Sequence, residues 1–279
     1  MSVNETQQSA KEKNRLRQFA FTVVKVVISA GLIWFILRDT SVEEVWNAIQ
    51  MANPWLLALA FSLHFIGFLV SAIRWKGLLR AQGVDATIPF LFNSYVVSAF
   101  FNNLLPSTIG GDAVRAYDSW RLGQSKSDAV AVVFVDRFLG ILVLMAFALV
   151  AVLFSNTITE DAPSLYLWVV VGSVGVVIIS WIMFIPSPRL PRLIEALPLP
   201  GKIKDKLVTI VRAFLSFQGK KRVLAEAMFW SVALQANVVL HYWLISEAMG
   251  LNVPWYNFFL IVPLATFVMM IPISINGLG

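Results

Sequence analysis

The sequence predicts an all-α polytopic membrane protein in which two re-entrant, broken segments form an inverted repeat. Apolar residues make up 58% of the 279 positions and charged residues only 14%, which is outside the range of ordinary soluble domains. Two of the long apolar runs end in breaks that contain Pro or Gly, at residues 106–111 and 272–277. Such breaks are tolerated at membrane depth only where protein or a wet cavity satisfies the backbone.

The N-terminal region predicts an uncleaved first span. Residues 1–18 are polar and basic and precede an apolar run over 19–37, which is long for a signal peptide and lacks a clear cleavage site after it. We expect residues 1–18 in the cytoplasm and residues 19–279 to form one transmembrane domain. A second span over 55–73 ends at Arg74 and Lys76, which we interpret as anchors at the cytoplasmic interface.

The next apolar run, residues 88–105, is predicted to enter the membrane and turn back. If it crossed fully, the basic segment 113–128 would lie outside. The span 129–154 would then lead inward to residues 155–164, which contain Glu160 and Asp161 but no Lys or Arg. The positive-inside rule favours the opposite placement of both loops. Both preferences are met only by a re-entrant hairpin that turns at residues 106–111.

The second half of the chain contains the most basic loop. Residues 165–185 form a span that returns to the cytoplasm and leads into the basic loop 186–222. Within that loop, residues 203–217 alternate apolar and basic side chains at helical spacing, which is typical of an interfacial helix on an anionic leaflet. Residues 223–245 then cross outward, and 256–271 is the second apolar run that ends in a break. The net charge of +6 favours anionic lipid surfaces, not nucleic acid.

An internal repeat relates the two broken segments. Pro106-Ser-Thr-Ile-Gly-Gly aligns with Pro272-Ile-Ser-Ile-Asn-Gly, and Trp75 and Gly83 align with Trp243 and Gly250. The first copy covers about residues 55–154, and the second covers about 223–279 and is incomplete. The spans that precede the breaks run in opposite directions, so the copies are inverted. Inverted repeats with broken segments in matching positions mark transporters that bind substrate near the midplane.

The first break has the chemistry of an anion site. We expect Gly110 and Gly111 to let backbone amides converge at the start of a short helix, with Arg115 one turn further on to pair with a phosphate. Asp136 and Arg137 lie within the span 129–154, where a bare charge costs about 2.5–3.5 kcal/mol. We therefore expect Arg137 to join Arg115 in the cavity, with Asp136 or Asp112 orienting a guanidinium.

Alternatives exist for these charges, because Arg137 could snorkel to the interface and Asp112 could start a solvated helix. The complete candidate substrate-binding set is Asn103, Pro106, Ser107, Thr108, Gly110, Gly111, Asp112, Arg115, Asp136, Arg137, Pro272, Ser274, Asn276 and Gly277.

The remaining polar residues within apolar runs have structural interpretations. Asn102 and Asn103 are expected to satisfy broken backbone. His64 and His241 are either proton carriers or, as we favour, partners in hydrogen bonds between helices. The chain has no cysteine, and neither histidine lies in a cluster with metal-ligand spacing, so we expect no metal and no cofactor.

At the two breaks and at Asp136-Arg137, the chain resembles the lysylphosphatidylglycerol synthase transmembrane region family, whose members are also described as flippase-like or YbhN-like membrane proteins. The matching segments are Asn103-Leu-Leu-Pro-Ser-Thr-Ile-Gly-Gly-Asp-Ala-Val-Arg, Asp136-Arg137 with Gly140, and Pro272-Ile-Ser-Ile-Asn-Gly-Leu-Gly. The family commonly has Glu-Arg where this chain has Asp136-Arg137. The family's last motif normally continues with Arg-Glu and further spans, so the resemblance implies that a chain stopping at Gly279 either is a fragment or has an incomplete second half-site.

The resemblance implies a role in lipid or polyprenyl-phosphate pathways, because members resemble the membrane half of enzymes that aminoacylate phosphatidylglycerol and move the product between leaflets. The soluble aminoacyl-transferase half has no counterpart here, so we expect a translocator and not an enzyme. A membrane subunit of, or scaffold for, a lipid-modifying transferase is the alternative, with the basic loop docking the partner enzyme. We expect a multi-pass protein of a bacterial or archaeal cytoplasmic (inner) membrane, and a homo-oligomer is left open.

Overall fold

The computed structural model describes residues 41–104, 109–154, 163–184 and 200–270, together with isolated positions elsewhere. The predicted first span, the loop at 155–162 and the residues at the two breaks, 105–108 and 271–279, lie outside the described residues. All regular secondary structure in the described part is helical, which confirms the all-α prediction. The helices are α1 (Val42–Met51), α2 (Pro54–Ala81), α3 (Ile88–Leu104), α4 (Ile109–Arg121), α5 (Lys126–Phe154), α6 (Pro163–Phe184), α7 (Gly201–Leu215), α8 (Lys221–Ala248) and α9 (Phe258–Met270), the last preceded by a 3₁₀ turn at Trp255–Asn257.

Three of these helices, α2, α5 and α8, have the length and hydropathy of membrane spans. At ~1.5 Å per residue, 28 residues reach roughly 42 Å, which exceeds the roughly 30 Å hydrocarbon core. Helix α2 begins where it does because Pro54 occupies its first turn and the Asn53 side chain accepts hydrogen bonds from the amides of Trp55 and Leu56. The protein is therefore a multi-pass membrane protein.

Helices α2 and α8 form an antiparallel pair through the middle of the molecule. The amide of Asn53, just before α2, donates to the carbonyl of Ala248 at the end of α8 (2.8 Å). Midway, Asn237 Nδ2 donates to the carbonyl of Leu63 (3.0 Å). At the other end, Lys220 Nζ donates to the carbonyl of Ala81. One helix thus starts where the other ends.

The same pair carries the inverted repeat. The starts of α2 and α8, at 54 and 221, and their ends, at 81 and 248, both differ by 167 residues. Each helix is followed by a glycine in the left-handed region, Gly83 (φ +81°) and Gly250 (φ +67°), which are also 167 residues apart. Because α2 and α8 are antiparallel, the two helix–glycine units are inverted, as the sequence predicts.

Helices α3 and α4 form a hairpin that is too short to cross a bilayer. They contain 17 and 13 residues, or roughly 20–26 Å each. Their antiparallel arrangement follows from two contacts: Asn102 bonds to Gly111 near the tip, and Ser94 Oγ donates to Asp118 Oδ2 (2.6 Å) further back. The chain therefore enters and returns on the same side, which is the predicted re-entrant geometry.

Helix α7 is amphipathic, and its apolar face is covered by protein. The Phe214 ring packs edge-on against Phe134 and Phe138 of α5, with centroid distances of 5.9 and 4.9 Å. The predicted helix at 203–217 is therefore present, and its apolar face packs on α5; its position on an anionic leaflet stays a prediction. Together with Trp75, Leu78 and Leu79 of α2, Phe214 belongs to the main apolar core.

Candidate functional site

A cavity of about 310 Å³ lies between the re-entrant hairpin and helices α2, α5, α8 and α9. Helix α9 contributes Thr266, so helices that precede both breaks reach the same space. The polar residues that line it are Ser71, Arg74, Tyr95, Ser98, Asn102, Asp112, Arg115, Asp136, Arg137, Gln235 and Thr266.

Asp136 is the centre of the charged network. Its side chain is only 1% exposed and accepts two hydrogen bonds from Arg74, from Nε (2.7 Å) and Nη2 (3.0 Å), and one from Arg115 Nη2 (2.7 Å). The Tyr95 hydroxyl also donates to Oδ2 (3.4 Å). A lone buried carboxylate would be very costly, and the two guanidinium groups offset that cost. Asp136 thereby joins α5 to α2 and to the hairpin.

Arg74 was interpreted from the sequence as an interface anchor, and the structure shows that this interpretation is wrong. The residue is buried, and besides holding Asp136 it donates from Nη1 to Ser231 Oγ of α8 (2.9 Å). A Cβ on Gly140 would lie 3.9 Å from the same Nη1, so the glycine leaves room beside the guanidinium. Arg74 therefore links the three spanning helices at the base of the cavity.

Arg115 is buried between two aromatic rings. Its guanidinium carbon lies 4.7 Å from the Trp75 centroid and 4.4 Å from the Tyr95 centroid, which is cation–π geometry. Its Nε is buried and makes no hydrogen bond to the described residues. Two other lining residues share this property, since Ser98 Oγ and Gln235 Nε2 are also buried without a partner in the described part. Buried polar atoms of this kind call for a partner, so the cavity has unused hydrogen-bonding capacity.

Arg137 forms a second, more accessible ion pair. Its Nε lies 2.6 Å from Asp112 Oδ2, and the two side chains are 29% and 24% exposed. Asp112 is also 4.0 Å from Arg115. Adjacent residues on a helix point in different directions, so Asp136 pairs with Arg115 while Arg137 pairs with Asp112. Arg137 lines the cavity, and the snorkelling alternative does not describe its position.

The predicted role of the two glycines needs correction. Helix α4 begins at Ile109, so Gly110 and Gly111 lie in its first turn and do not form a separate loop of converging amides. The Gly111 amide already donates to Asn102 Oδ1 (2.8 Å), because first-turn amides lack a partner within their own helix. Gly110 lines a different groove, beside Phe90 and on the far side of the hairpin. The backbone-satisfying role predicted for Asn102 is confirmed.

Gly111 instead permits the close approach of α3 and α4. A Cβ at this position would lie 2.7 Å from Asn102 Oδ1 and 2.7 Å from the backbone oxygen of Ser98. Seven predicted site residues and one side chain cannot be placed relative to the cavity, because they lie outside the described part: Pro106, Ser107, Thr108, Pro272, Ser274, Asn276 and Gly277, with the side chain of Asn103 in α3.

The cavity carries an excess of positive charge. Its described lining contains three guanidinium groups, from Arg74, Arg115 and Arg137, and two carboxylates, from Asp112 and Asp136. The lining therefore has a formal charge of one positive unit before any ligand binds. A monoanion would neutralise it.

Comparison with known proteins places this geometry in context. The family model for the lysylphosphatidylglycerol synthase TM region matches residues 22–279. A UPF0104 membrane protein of Pyrococcus horikoshii is 24% identical over 277 residues, covering 91% of this chain and 82% of its own. Another, from Methanothermobacter thermautotrophicus, is 27% identical over 277 residues, covering 92% of this chain and 80% of its own. No solved structure matches.

Proposed function

Because the chain belongs to the lysylphosphatidylglycerol synthase transmembrane region family, we propose that it translocates an anionic phospholipid or a polyprenyl-phosphate lipid between membrane leaflets. The observation that carries this proposal is the excess of three guanidinium groups over two carboxylates around a cavity within the helix bundle. A lipid phosphate supplies the compensating negative charge and several acceptor oxygens. Guanidinium groups suit a phosphate because their N–H groups lie in one plane and donate two parallel hydrogen bonds to its oxygens.

The size of the cavity favours a headgroup as its occupant. A volume of about 310 Å³ is at the lower end of the range for small-molecule sites, which is roughly 300–1,000 Å³. It accommodates a phosphate with a small polar substituent, whereas the acyl or prenyl chains remain in the surrounding membrane. The unpartnered Arg115 Nε, Ser98 Oγ and Gln235 Nε2 provide donors for such a group.

The two ion pairs have different roles in this proposal. Arg74 and Arg115 are held by the buried Asp136 and keep the site assembled without a ligand. The Arg137–Asp112 pair is about one quarter exposed, and the arriving phosphate competes with Asp112 for Arg137. Asp112 then repels the anion and favours its release. The exchangeable pair thus provides binding without trapping the lipid.

The cellular setting follows from the same features. We infer a bacterial or archaeal cytoplasmic (inner) membrane, and the relatives compared above are archaeal. The positive-inside rule orients the N-terminus and the basic loop 186–222 toward the cytoplasm. Partners are the transported lipid and, through the basic loop, a lipid-modifying enzyme.

A membrane subunit of a transferase is the second candidate function. General acid–base catalysis needs a carboxyl group free to exchange a proton. Both carboxylates in the described lining are engaged by arginines, Asp136 by two of them. These contacts favour the translocator over the enzyme.

The test is leaflet-resolved lipid movement in liposomes that contain the purified protein. Phosphatidylglycerol, its lysyl form and an undecaprenyl phosphate are supplied separately, with phosphatidylcholine as the neutral reference. Arg137→Gln removes a charge-assisted contact worth about 1.5–3 kcal/mol, so we expect movement of the preferred lipid to slow about tenfold or more. Arg121→Gln removes the same charge from the exposed end of the same hairpin and should leave the rate unchanged.

The rates of lipid movement by wild type, Arg137→Gln and Arg121→Gln distinguish three possibilities. Movement of one lipid class that is lost in folded Arg137→Gln and kept in Arg121→Gln supports the proposal and identifies the substrate. If folded wild-type protein moves none of these lipids, the translocator is excluded and the transferase subunit becomes the leading function. Equal slowing by both variants would indicate general surface attraction of anionic lipid and contradict a site at Arg137.

A further inference from the structure

Two imidazoles face each other across the α2–α8 pair, away from the charged network. The His64 and His241 ring centroids are 5.9 Å apart. His241 Nδ1 lies 2.7 Å from the carbonyl oxygen of Ala60, so this nitrogen carries the proton and donates it, leaving Nε2 free. The His64 side chain is exposed, packs edge-on against Phe68, and makes no hydrogen bond to the described residues.

The inverted repeat relates this pair to the arginine site. The shift of 167 residues that carries α2 onto α8 also carries Arg74 onto His241 and His64 onto Ser231. The Arg74–Ser231 hydrogen bond in one half therefore corresponds to the His241–His64 contact in the other. Gly67 and Leu234 are equivalent by the same shift, and a Cβ on Gly67 would lie 3.6 Å from Leu234 Cδ1, so the pseudo-two-fold axis passes near these two positions.

The two sites lie along one seam. Phe68, Ser71 and Arg74 line the cavity from α2, and His64 is one turn beyond Phe68 on the same face. Gln235 lines the cavity from α8, and His241 follows further along that helix. Ten residues separate Arg74 from His64, or roughly 15 Å along the helix. The histidine pair therefore lies on the other side of the axis from Arg74, about half a hydrocarbon core away.

The surroundings of the pair are largely apolar. Phe68 contacts His64 and also packs on Phe92 of α3. Tyr242 on α8 contacts His241, and in the described part it is the one other titratable side chain in ring contact with either imidazole. Along the two helices the nearest charged residues are Arg74 and Glu247, and Glu247 accepts a hydrogen bond from the Trp243 indole. The charge of this region is therefore set by the imidazoles themselves.

We propose that His64 and His241 form a second, proton-dependent subsite for the lipid phosphate, equivalent by pseudo-symmetry to Arg74 and Ser231. This inference rests on the translocator function proposed above. Each neutral imidazole takes a proton from water on its side of the membrane, and the resulting cation donates N–H groups to phosphate oxygens. The imidazoles return these protons when the headgroup leaves. Guanidinium holds the anion on one side of the axis at every physiological pH, whereas imidazolium holds it on the other side only when protonated.

Binding at the pair is tested by NMR without any need for transport. The chain contains two histidines, so selective histidine labelling gives two imidazole spin systems, which His64→Gln and His241→Gln assign. The full chain is placed in phosphatidylcholine nanodiscs with or without phosphatidylglycerol, at about pH 5.5 and about pH 8, on either side of the ordinary imidazole pKa of about 6.5. We expect phosphatidylglycerol to shift both imidazoles at the lower pH and neither at the higher pH. The same shifts in Arg115→Gln would show that the subsite is separate from the arginine site.

Lipid movement provides the second measurement. We expect the wild-type rate to be at least about tenfold higher at pH 5.5 than at pH 8, because only protonated imidazoles bind the phosphate in this proposal. The double variant His64→Gln/His241→Gln should lose this rise, whereas Tyr242→Phe should keep it. Imidazole signals indifferent to phosphatidylglycerol at low pH, or a rise that survives in the double variant, would overturn the inference while leaving translocation intact. Shifted imidazoles in a protein that moves no lipid would instead support the subsite and overturn the translocator.

Discussion

At the scale of single residues, the buried carboxylate of Asp136 determines whether the site exists. It compensates two guanidinium groups that have little contact with solvent. Asp136→Asn removes the carboxylate to which both cations bond, so we expect a loss of about 3–5 kcal/mol in the free energy of unfolding. The measurement is thermal unfolding in detergent.

The control is Asp205→Asn, at an exposed position of α7, which should change stability by less than about 0.5 kcal/mol. Equal stability of Asp136→Asn and wild type would show that the network does not hold these helices together.

The same scale explains what sequence reasoning missed. Arg74 stands beside Trp75 and Lys76 at the end of an apolar run, a pattern typical of an interface anchor. Its partner Asp136 is 62 positions away, and nothing local to either residue reveals the pairing. The available signal was Asp136 itself, because a carboxylate within a span needs a cation from another helix. Arg115 and Arg137 already offer such a cation in the sequence, so the requirement by itself does not point to Arg74.

At the scale of elements, the hairpin depends on how closely α3 and α4 approach. The extra methyl group of Gly111→Ala would overlap the Asn102 side chain and the Ser98 carbonyl, and a backbone atom cannot move aside cheaply. We expect a loss of about 1–3 kcal/mol in stability, together with slower lipid movement, because Asn102 lines the cavity. Thermal unfolding and the liposome assay measure the two effects.

Gly77→Ala is the matched control for Gly111→Ala, since a Cβ at position 77 meets nothing within 4 Å. Alanine is favoured over glycine within a helix by about 0.5–1 kcal/mol, so this variant should be as stable as wild type or more stable. If Gly111→Ala behaves like Gly77→Ala, the hairpin does not require the close approach that the structure shows.

Element positions followed from sequence more reliably than element ends. The apolar run at 55–73 marks α2, yet the helix continues to Ala81, because Arg74 is paired inside the bundle and Trp75, Leu78 and Leu79 are buried in the core. Likewise, the Pro-Gly break predicts the turn of the hairpin, but α4 starts at Ile109, before the two glycines. Glycine is a poor helix former in isolation, and the Asn102 cap together with tight packing on α3 override that preference.

At the scale of the whole molecule, the inverted repeat was visible in the sequence through a few Pro, Gly and Trp positions, and the structure extends it to helix ends and contacts. What the sequence could not reveal is the pairing between copies. Contacts between α2 and α8 join residues more than a hundred positions apart, such as Leu63 and Asn237. They arise from antiparallel packing around Gly67, so the equivalence of Arg74 with His241 becomes meaningful only in three dimensions.

The contacts show which loops lie together at each end of the α2–α8 pair, and these loops provide a test of the orientation in the membrane. Gln82 Nε2 donates to Ser216 Oγ (2.8 Å), which places residues 82–87 and 216–220 at one end of the α2–α8 pair. The bond from the Asn53 amide to Ala248 places residues 249–254 at the opposite end. Since the chain lacks cysteine, single substitutions Asp85→Cys, Gln218→Cys and Asn252→Cys supply unique labels in an otherwise unaltered protein.

We expect a membrane-impermeant maleimide added to intact cells to label Asn252→Cys alone, and added to inside-out vesicles to label the other two. The physical reason is the positive-inside rule acting on the basic loop that follows α6, to which Gln218 belongs. Detergent-solubilised samples, in which all three should react, control for buried thiols. Labelling of Asp85→Cys and Asn252→Cys from the same side would contradict both the topology and the inversion of the repeat. It would also remove the basis for assigning Arg74 and His241 to opposite sides of the pseudo-two-fold axis.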